Sequence, residues 1–384
     1  MSNKKNKIIR FLAQLPEDKL VALLKLYKNQ QEKEKSTLQK NDMIFDVVTV
    51  PSEIEREVKY YEKCDNEQIT AHLMKWIETI KAMPRRTSPL PRLDSEFLNH
   101  ADAVWKSKIR GLEDIYKKLM PHVIEYLSTG RTRPILFVGT PGCGKTMAMR
   151  VMGEILEMPL YFANAPQMAK GNGLSGIGKT YIAAAPGEPV EAMVSCKSGN
   201  LIFAIDEVDK TMRFAGHGGD FQDELLNLTS DETAHMLKDN FLGFTVDASH
   251  LFVIMTANDL NDVSAPLKSR CDVITFPEPG EALISEIVRT NAVPTLLTKL
   301  HCEDKVSVSE DAINYAVTTL FRSGVRDVRI YQSLMESAIN TAVYDSIRGE
   351  SAITITIDDL IPLIGDKSNA CGSVIGFCPP SCAS

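Results

Sequence analysis

The sequence predicts an α/β fold: a parallel sheet flanked by helices, followed by a C-terminal helical lid and preceded by a helical N-terminal extension. Three observations predict it. The runs Ile135 to Val138, Leu201 to Ile205 and Leu251 to Met255 are apolar throughout rather than alternating, as strands buried on both faces of a parallel sheet must be. Each run then ends in residues that packing cannot use: glycines after the first, acids after the second, and Thr256, Ala257, Asn258 and Asp259 after the third. A helical apolar pattern of Met147, Met149, Val151, Met152, Ile155 and Leu156 follows the glycines, so strand gives way to helix within a few residues.

The first turn reads GTPGCGKT over 139–146. A chain of phosphates carries several negative charges at close range, so backbone N–H groups must approach it without side chains in the way. Gly139, Gly142 and Gly144 allow that approach, with Thr140, Pro141 and Cys143 completing the loop. Lys145 would reach the β and γ phosphates, and Thr146 would offer its hydroxyl to Mg2+ at the start of the helix. Strand, loop and helix in this order predict a P-loop for ATP; an ordinary glycine turn before a helix is the competing account.

The second strand exits into Asp206 and Glu207. Beside a P-loop these acids take separate tasks, Asp206 in the Mg2+ shell and Glu207 polarising the water that attacks the γ phosphate. A solvated helix N-cap is the alternative for both, and Asp209 reads as such a cap or as a salt-bridge partner. At the tip of the third strand Asn258 would sit near the γ phosphate and orient the attacking water. Arg270, after Pro266 and before a further strand (Val273, Ile274, Phe276), lies far from its own nucleotide in most sheet arrangements; its use would be on a neighbouring subunit's γ phosphate, with an ordinary exposed arginine as the equal alternative.

This order of motifs resembles that of the AAA+ ATPases, a P-loop αβα sandwich, and its finer spelling is similar to the ATPase segment of Lon proteases. The likeness rests on Trp105 to Glu113 ahead of the P-loop, GLSGIGKTYIAAAPG at 173–187, DNFLGFTVDAS at 239–249, and APLKSRCDVITFPEPGE at 265–281. It extends to SGVRDVR at 323–329, ITAHLMKWIETIKAMP at 69–84 and ITITIDDLIPLIG at 353–365, and covers roughly residues 65 to 366. The resemblance implies that Arg270 is an arginine finger and that Arg326, in a helical lid, contacts the γ phosphate as a second sensor. It further implies a homo-oligomeric ring, taken as hexameric, whose pore loop grips a protein client through Tyr181 and Ile182. The glycines and Lys179 around Tyr181 argue for exposure; an ordinary core aromatic is the alternative.

The departures shape the expectation as well. Lon continues into a Ser/Lys peptidase, for which too few residues follow 366, so ATPase but no peptidase activity is expected from this chain, leaving a peptidase in another chain open. The long N-terminal β domain of that family has no counterpart. Ala183 to Ala185 and the run Ile177, Gly178, Lys179 depart from the Lon pore loop.

Domain boundaries are expected at 1–60 for the N-terminal helical extension, with Asn29 to Asp42 as a linker, and 61–130 for a helical segment. Within the latter the prolines Pro84, Pro89 and Pro91 predict an extended or irregular connection. The core is expected over 131–278, the lid over 279–366 and a flexible tail over 367–384. Gly171, Gly173 and Gly176 also spell GxGxxG, but a mobile pore loop accounts for them better than a dinucleotide site.

The formal net charge of −7, with 24% charged residues, gives no large basic field for duplex DNA or RNA. The first forty residues depart from this, with ten Lys or Arg against four Asp or Glu and leucines at helical spacing. They read as an amphipathic helix or hairpin packing on the core or a sister subunit, with an anionic surface or nucleic acid as the alternative partner. The basic start MSNKKNK does not make an export signal, because Arg10 interrupts the apolar run and no small-residue cleavage site follows. No window is apolar enough for a membrane span. The eight cysteines form no close CxxC pair; Cys371, Cys378 and Cys382 share a Gly/Pro/Ser-rich tail and are weak zinc candidates. Reduced thiols in a cytoplasmic protein are expected. The function expected is Mg2+-dependent ATP hydrolysis driving protein remodelling or unfolding. A nucleotide-gated switch acting with a partner effector, and a nucleic-acid-linked motor, remain as alternatives.

Overall fold

The computed structural model describes residues 38–63, 71–214, 221–347 and 353–372. At its centre is a parallel sheet of five strands: β1 (Ile135–Val138), β2 (Leu160–Asn164), β3 (Ile202–Asp206), β6 (Phe252–Ala257) and β7 (Asp272–Thr275), in the spatial order β2-β3-β6-β1-β7. The continuous apolar runs have a direct structural cause. Successive strand residues point to opposite faces, and both faces are covered. Leu136, Phe203, Ile205, Val253 and Met255 enter one buried cluster. Ile135, Phe137, Ile202, Ala204, Phe252 and Ile254 enter the other.

The second face is covered by α3 (Ser95–Lys108), α4 (Glu113–Thr129) and α5 (Lys145–Leu156). Phe97, Trp105, Leu119 and Tyr126 are fully buried there, each contributing on the order of 1.5–3 kcal/mol by leaving water. Asp94 caps α3 by accepting a hydrogen bond from the Phe97 amide at 2.9 Å. The Tyr126 hydroxyl donates to the His250 carbonyl at 2.6 Å, tying α4 to the entry of β6. On the first face lie α2 (Ala71–Ala82), carrying the buried Trp76, α6 (Glu188–Cys196) and α7 (Phe221–Leu228). A hairpin of β4 (Leu237–Asp239) and β5 (Phe244–Val246) precedes β6.

The described part of the expected N-terminal helical extension departs from expectation. Only α1 (Ser52–Tyr61) is helical; residues 39–47 run extended against the proline-rich connection instead. Their backbones exchange bonds, Asn41 to Leu90 at 2.8 Å, Val47 to Arg85 at 2.9 Å and Thr87 to Phe45 at 2.9 Å. Prolines bar the helix from 84–91, which leaves a free backbone edge that a second extended segment satisfies. Of the basic first forty residues, 1–37 lie outside the described residues.

The lid has its own apolar core, built on Ile284, Leu320, Tyr331, Leu334, Ile339 and Leu360. Its helices include α8 (Glu281–Ile287), α9 (Val293–Leu300), α10 (Glu310–Arg322), α11 (Val328–Ile347) and α12 (Ile357–Gly372). It is not purely helical: β8 (Val306–Val308) and β9 (Ile353–Ile355) pair in parallel. Helix α12 runs past the expected start of a tail at 367, and residues 373–384, with Cys378 and Cys382, lie outside the described set. Cys143, Cys196, Cys271 and Cys302 are free thiols. Among the described residues no helix is long and apolar enough to cross a membrane.

Candidate nucleotide site between the core and the lid

The carboxyl ends of β1, β3 and β6 open together into a cavity of about 520 Å³, roofed by the lid. Gly142, Cys143, Gly144, Lys145, Thr146 and Met147 form its floor, Asp206, Glu207, Lys210 and Asn258 one wall, and Val328, Arg329 and Gln332 the lid side. Ile109, Leu112, Pro279, Leu283 and Ile287 make the far end apolar. An ion pair between Arg110 and Glu286, 2.7 Å, bridges that end from the segment before α4 to the lid.

The P-loop geometry explains its glycines. Gly142 has φ of +77°, a left-handed conformation, and a Cβ there would lie 2.0 Å from the Asp327 carboxylate and 2.9 Å from the Val328 amide. Gly144 caps α5 with no side-chain acceptor, so the first amides of that helix keep their hydrogen-bonding capacity for an anion. Lys145 is buried, and its Nζ donates to the Gly139 carbonyl, to the Thr140 carbonyl at 3.2 Å and to Asn258 Oδ1 at 3.1 Å. Burial lowers its pKa from the ordinary lysine value, with Asp206 and Asp209 opposing the shift. The buried Thr140 Oγ1 has no hydrogen-bond partner. A cradle of left-handed glycines, open helix amides and a lysine held on carbonyls fits a polyphosphate.

Asp206 and Glu207 are wired to the neighbouring strand through one hydroxyl. Thr256 donates Oγ1 to Asp206 and accepts from the Glu207 amide at 3.1 Å. Glu207 itself sits at φ of +62°, in the left-handed region that costs a non-glycine residue free energy, and its carboxylate pairs with Lys210. Thr146 and Asp206, a hydroxyl and a carboxylate facing one cavity, suit the oxygen preference of Mg2+.

Two expectations are corrected here. Asp209 is neither a helix cap nor a salt-bridge partner among the described residues. It is buried, and its Oδ2 accepts from the amides of Asn258 (3.0 Å) and Asp259 (3.3 Å), so it holds the tip of β6 in place. Arg326 does not reach the cavity. Its guanidinium stacks 3.6 Å from the Phe321 ring centroid and donates to the Phe321 carbonyl at 2.7 Å, closing the end of α10. The lid arginine that lines the cavity is Arg329, one position into α11, forked onto Asp327 at 2.8 to 3.1 Å. Sequence reasoning missed Arg329, although the repeat of arginine three residues on was visible.

Arg270 stands apart from this cavity at the end of the short helix Ala265–Arg270; its carbonyl accepts from Arg133 Nε at 3.2 Å, and its side chain has no ion pair among the described residues. Tyr181 and Ile182 lie outside it too, 65% and 98% exposed at the tip of the 173–187 loop.

Comparison with known proteins agrees with this geometry. Residues 135–278 match the family described as ATPase family associated with various cellular activities (AAA). The chain is 27% identical over 261 residues to the peroxisomal Lon protease homolog 2 of Caenorhabditis briggsae, covering 67% of this chain and 33% of that protein. It is 26% identical over 306 residues to the human mitochondrial Lon protease homolog, covering 77% and 30%, and 26% identical over 315 residues to the mitochondrial homolog of Ostreococcus lucimarinus, covering 79% and 33%. The chain thus spans about a third of the length of these relatives. Residues 135–278, with their parallel sheet, glycine-rich phosphate loop and paired strand-tip acids, are an AAA-family ATPase domain set in a chain that is similar to the ATPase region of Lon proteases.

Proposed function

We propose that this chain hydrolyses ATP with Mg2+ inside a homo-oligomeric ring, hexameric by analogy with AAA+ ATPases, and uses the cycle to remodel or unfold a protein client. The observation that carries the reading is the convergence of Lys145, Asp206, Glu207, Asn258 and Arg329 on one cavity shared by core and lid. In it the P-loop amides and Lys145 bind the phosphates, Thr146 and Asp206 hold Mg2+, and that ion supplies charge neutralisation at the γ phosphate. Glu207 takes the proton of the attacking water once released from Lys210, and Asn258 orients that water. Arg270, with no ion pair among the described residues, completes the charge neutralisation on a neighbouring subunit's nucleotide. Arg329 takes the lid role that the family resemblance assigned to Arg326.

A site held jointly by core and lid changes the angle between them as nucleotide comes and goes. The 173–187 loop would follow, and its exposed aromatic and aliphatic tip can wedge against an extended polypeptide whatever its sequence. The free thiols fit a reducing compartment, the cytoplasm on this reading. Three substitutions test the proposal. Glu207→Gln should bind ATP without turning it over; Arg270→Ala should lose turnover in the assembled state while keeping nucleotide affinity. Tyr181→Ala should abolish unfolding of a tagged client with basal turnover retained. Monomeric behaviour at high concentration with Mg-ATP, together with an active Arg270→Ala, would refute the ring.

A further inference from the structure

The loop that carries Tyr181 and Ile182 is fixed at both sides below its tip. Its stem is closed by Ile177 and Ala185, whose backbones exchange bonds of 2.8 and 3.3 Å. On one side the β4–β5 hairpin grips it: the Asn240 amide donates to the Ser175 carbonyl at 2.6 Å, and the Gly187 amide donates to the buried Asp239 carboxylate at 2.8 Å. On the other side lies a contact that neither the nucleotide site nor the loop tip requires. The Lys179 ammonium pairs with Glu57 on α1 at 2.5 Å and sits 3.9 Å from the centroid of the Trp76 ring on α2. Trp76 is fully buried and donates its indole N–H to the Leu242 carbonyl in the hairpin turn at 3.4 Å. One lysine thus joins the loop to both described N-terminal helices, and its tryptophan platform joins those helices to the hairpin.

We propose that Lys179 is a positioning residue that seats the client-gripping loop on the N-terminal helices through Glu57 and Trp76, so that whatever engages those helices alters the loop's grip. The side chains of Lys179 and Glu57 are only 25% and 32% exposed, which shields the pair from salt more than an open surface bridge. The cation over the indole face adds an attraction that an exposed lysine lacks. The loop between these anchors is short, so a shift of Lys179 must move Tyr181 two residues on. This inference rests on the remodelling function proposed above, and its test separates the two.

The experiment uses the full chain, with β-casein as an extended polypeptide probe. Glu57→Lys sets two cations against each other far from the nucleotide; Glu57→Lys with Lys179→Glu restores an attractive pair. The casein-stimulated part of ATP turnover should fall about fivefold in the single variant, the scale of a partly buried cation contact, with basal turnover unchanged, and should recover in part in the double variant, which regains the ion pair but not the cation over the Trp76 ring. Hydrogen exchange in 173–187 should speed up in the single variant and slow again in the double one, while the sheet amides stay protected. Unchanged exchange in the single variant, or a double variant no better than the single, overturns the proposal. Tyr181→Ala, run alongside, reports on the loop's function by itself. If it leaves casein stimulation intact, the gripping role fails, and the exchange data still decide whether Lys179 anchors the loop.

Discussion

Two arginines three residues apart, Arg326 and Arg329, divide the lid's work, and removing each in turn distinguishes them. Arg329 has to leave Asp327 to meet a phosphate. A hydrogen bond between charged groups is worth about 1.5–3 kcal/mol, and the pair that opens, with side chains 65% and 23% exposed, takes back no more than about 1 kcal/mol. The net contribution is about 1–2 kcal/mol, so Arg329→Ala should weaken nucleotide binding roughly five- to thirty-fold. Arg326→Ala should leave affinity within about twofold. It removes instead the donor on the Phe321 carbonyl and the stacking on that ring, and should lower the melting temperature of the lid through a loss of about 1 kcal/mol. Equilibrium titration with a fluorescent ATP analogue, paired with thermal melts of the same preparations, reads both effects. A tenfold affinity loss in Arg326→Ala with normal binding in Arg329→Ala would mean that the lid turns the other guanidinium inward, and the division of labour drawn here would be wrong.

Three further outcomes follow from the geometry. Asp209→Ala strips the acceptor from the amides of Asn258 and Asp259, each worth on the order of 1–3 kcal/mol when left buried and unmet, so kcat should fall at least about tenfold while nucleotide affinity changes little. Gly142→Ala forces a Cβ onto Asp327 at a φ of +77° and should abolish tight nucleotide binding; normal titration of that variant would contradict the seating of the lid on the P-loop. Asp239, buried beside the loop stem, has its pKa raised from 3.8 to about 6, burial outweighing its backbone donors. A raised folded-state value means its stabilising contribution is complete below pH 3.8 and is lost as pH climbs through about 6, on the scale of 3 kcal/mol. Urea melts of wild type and Asp239→Asn should therefore differ in their slope with pH between those values and run parallel above pH 7.

The readable parts of the sequence were those where one residue type has one physical use. Continuous apolar runs announce strands covered on both faces, and GTPGCGKT announces the turn between β1 and α5, because few other demands select glycine and lysine at that spacing. Edge strand β2 escaped notice for the opposite reason. It is only half covered, with Phe162 40% exposed, so its run lacks the uniform apolar signature. Strands β8 and β9 are three residues each and nearly fifty positions apart, beyond the reach of any local pattern. Asp209 was misread because an acid just after a strand looks the same whether it caps its own turn or reaches across to another; only the pairing of β3 with β6 brings Asn258 beside it. The lid arginines were confused because the helix begins at Val328, so Arg326 still belongs to the turn and leaves in another direction.

The extended segment at 39–47 changes how this polypeptide can be dissected. Val47 and Val48 are buried, and the Asp247 amide donates to the Val47 carbonyl at 2.8 Å, so the stretch before α1 is tied to the ATPase domain as well as to the proline-rich connection. A fragment beginning near residue 61, where sequence alone suggested a seam, would strip a backbone edge and open apolar surface on the catalytic unit. Recombinant fragments intended to isolate residues 135–278 with their flanking helices should begin upstream of Leu38, and shorter ones should be recovered chiefly as aggregates.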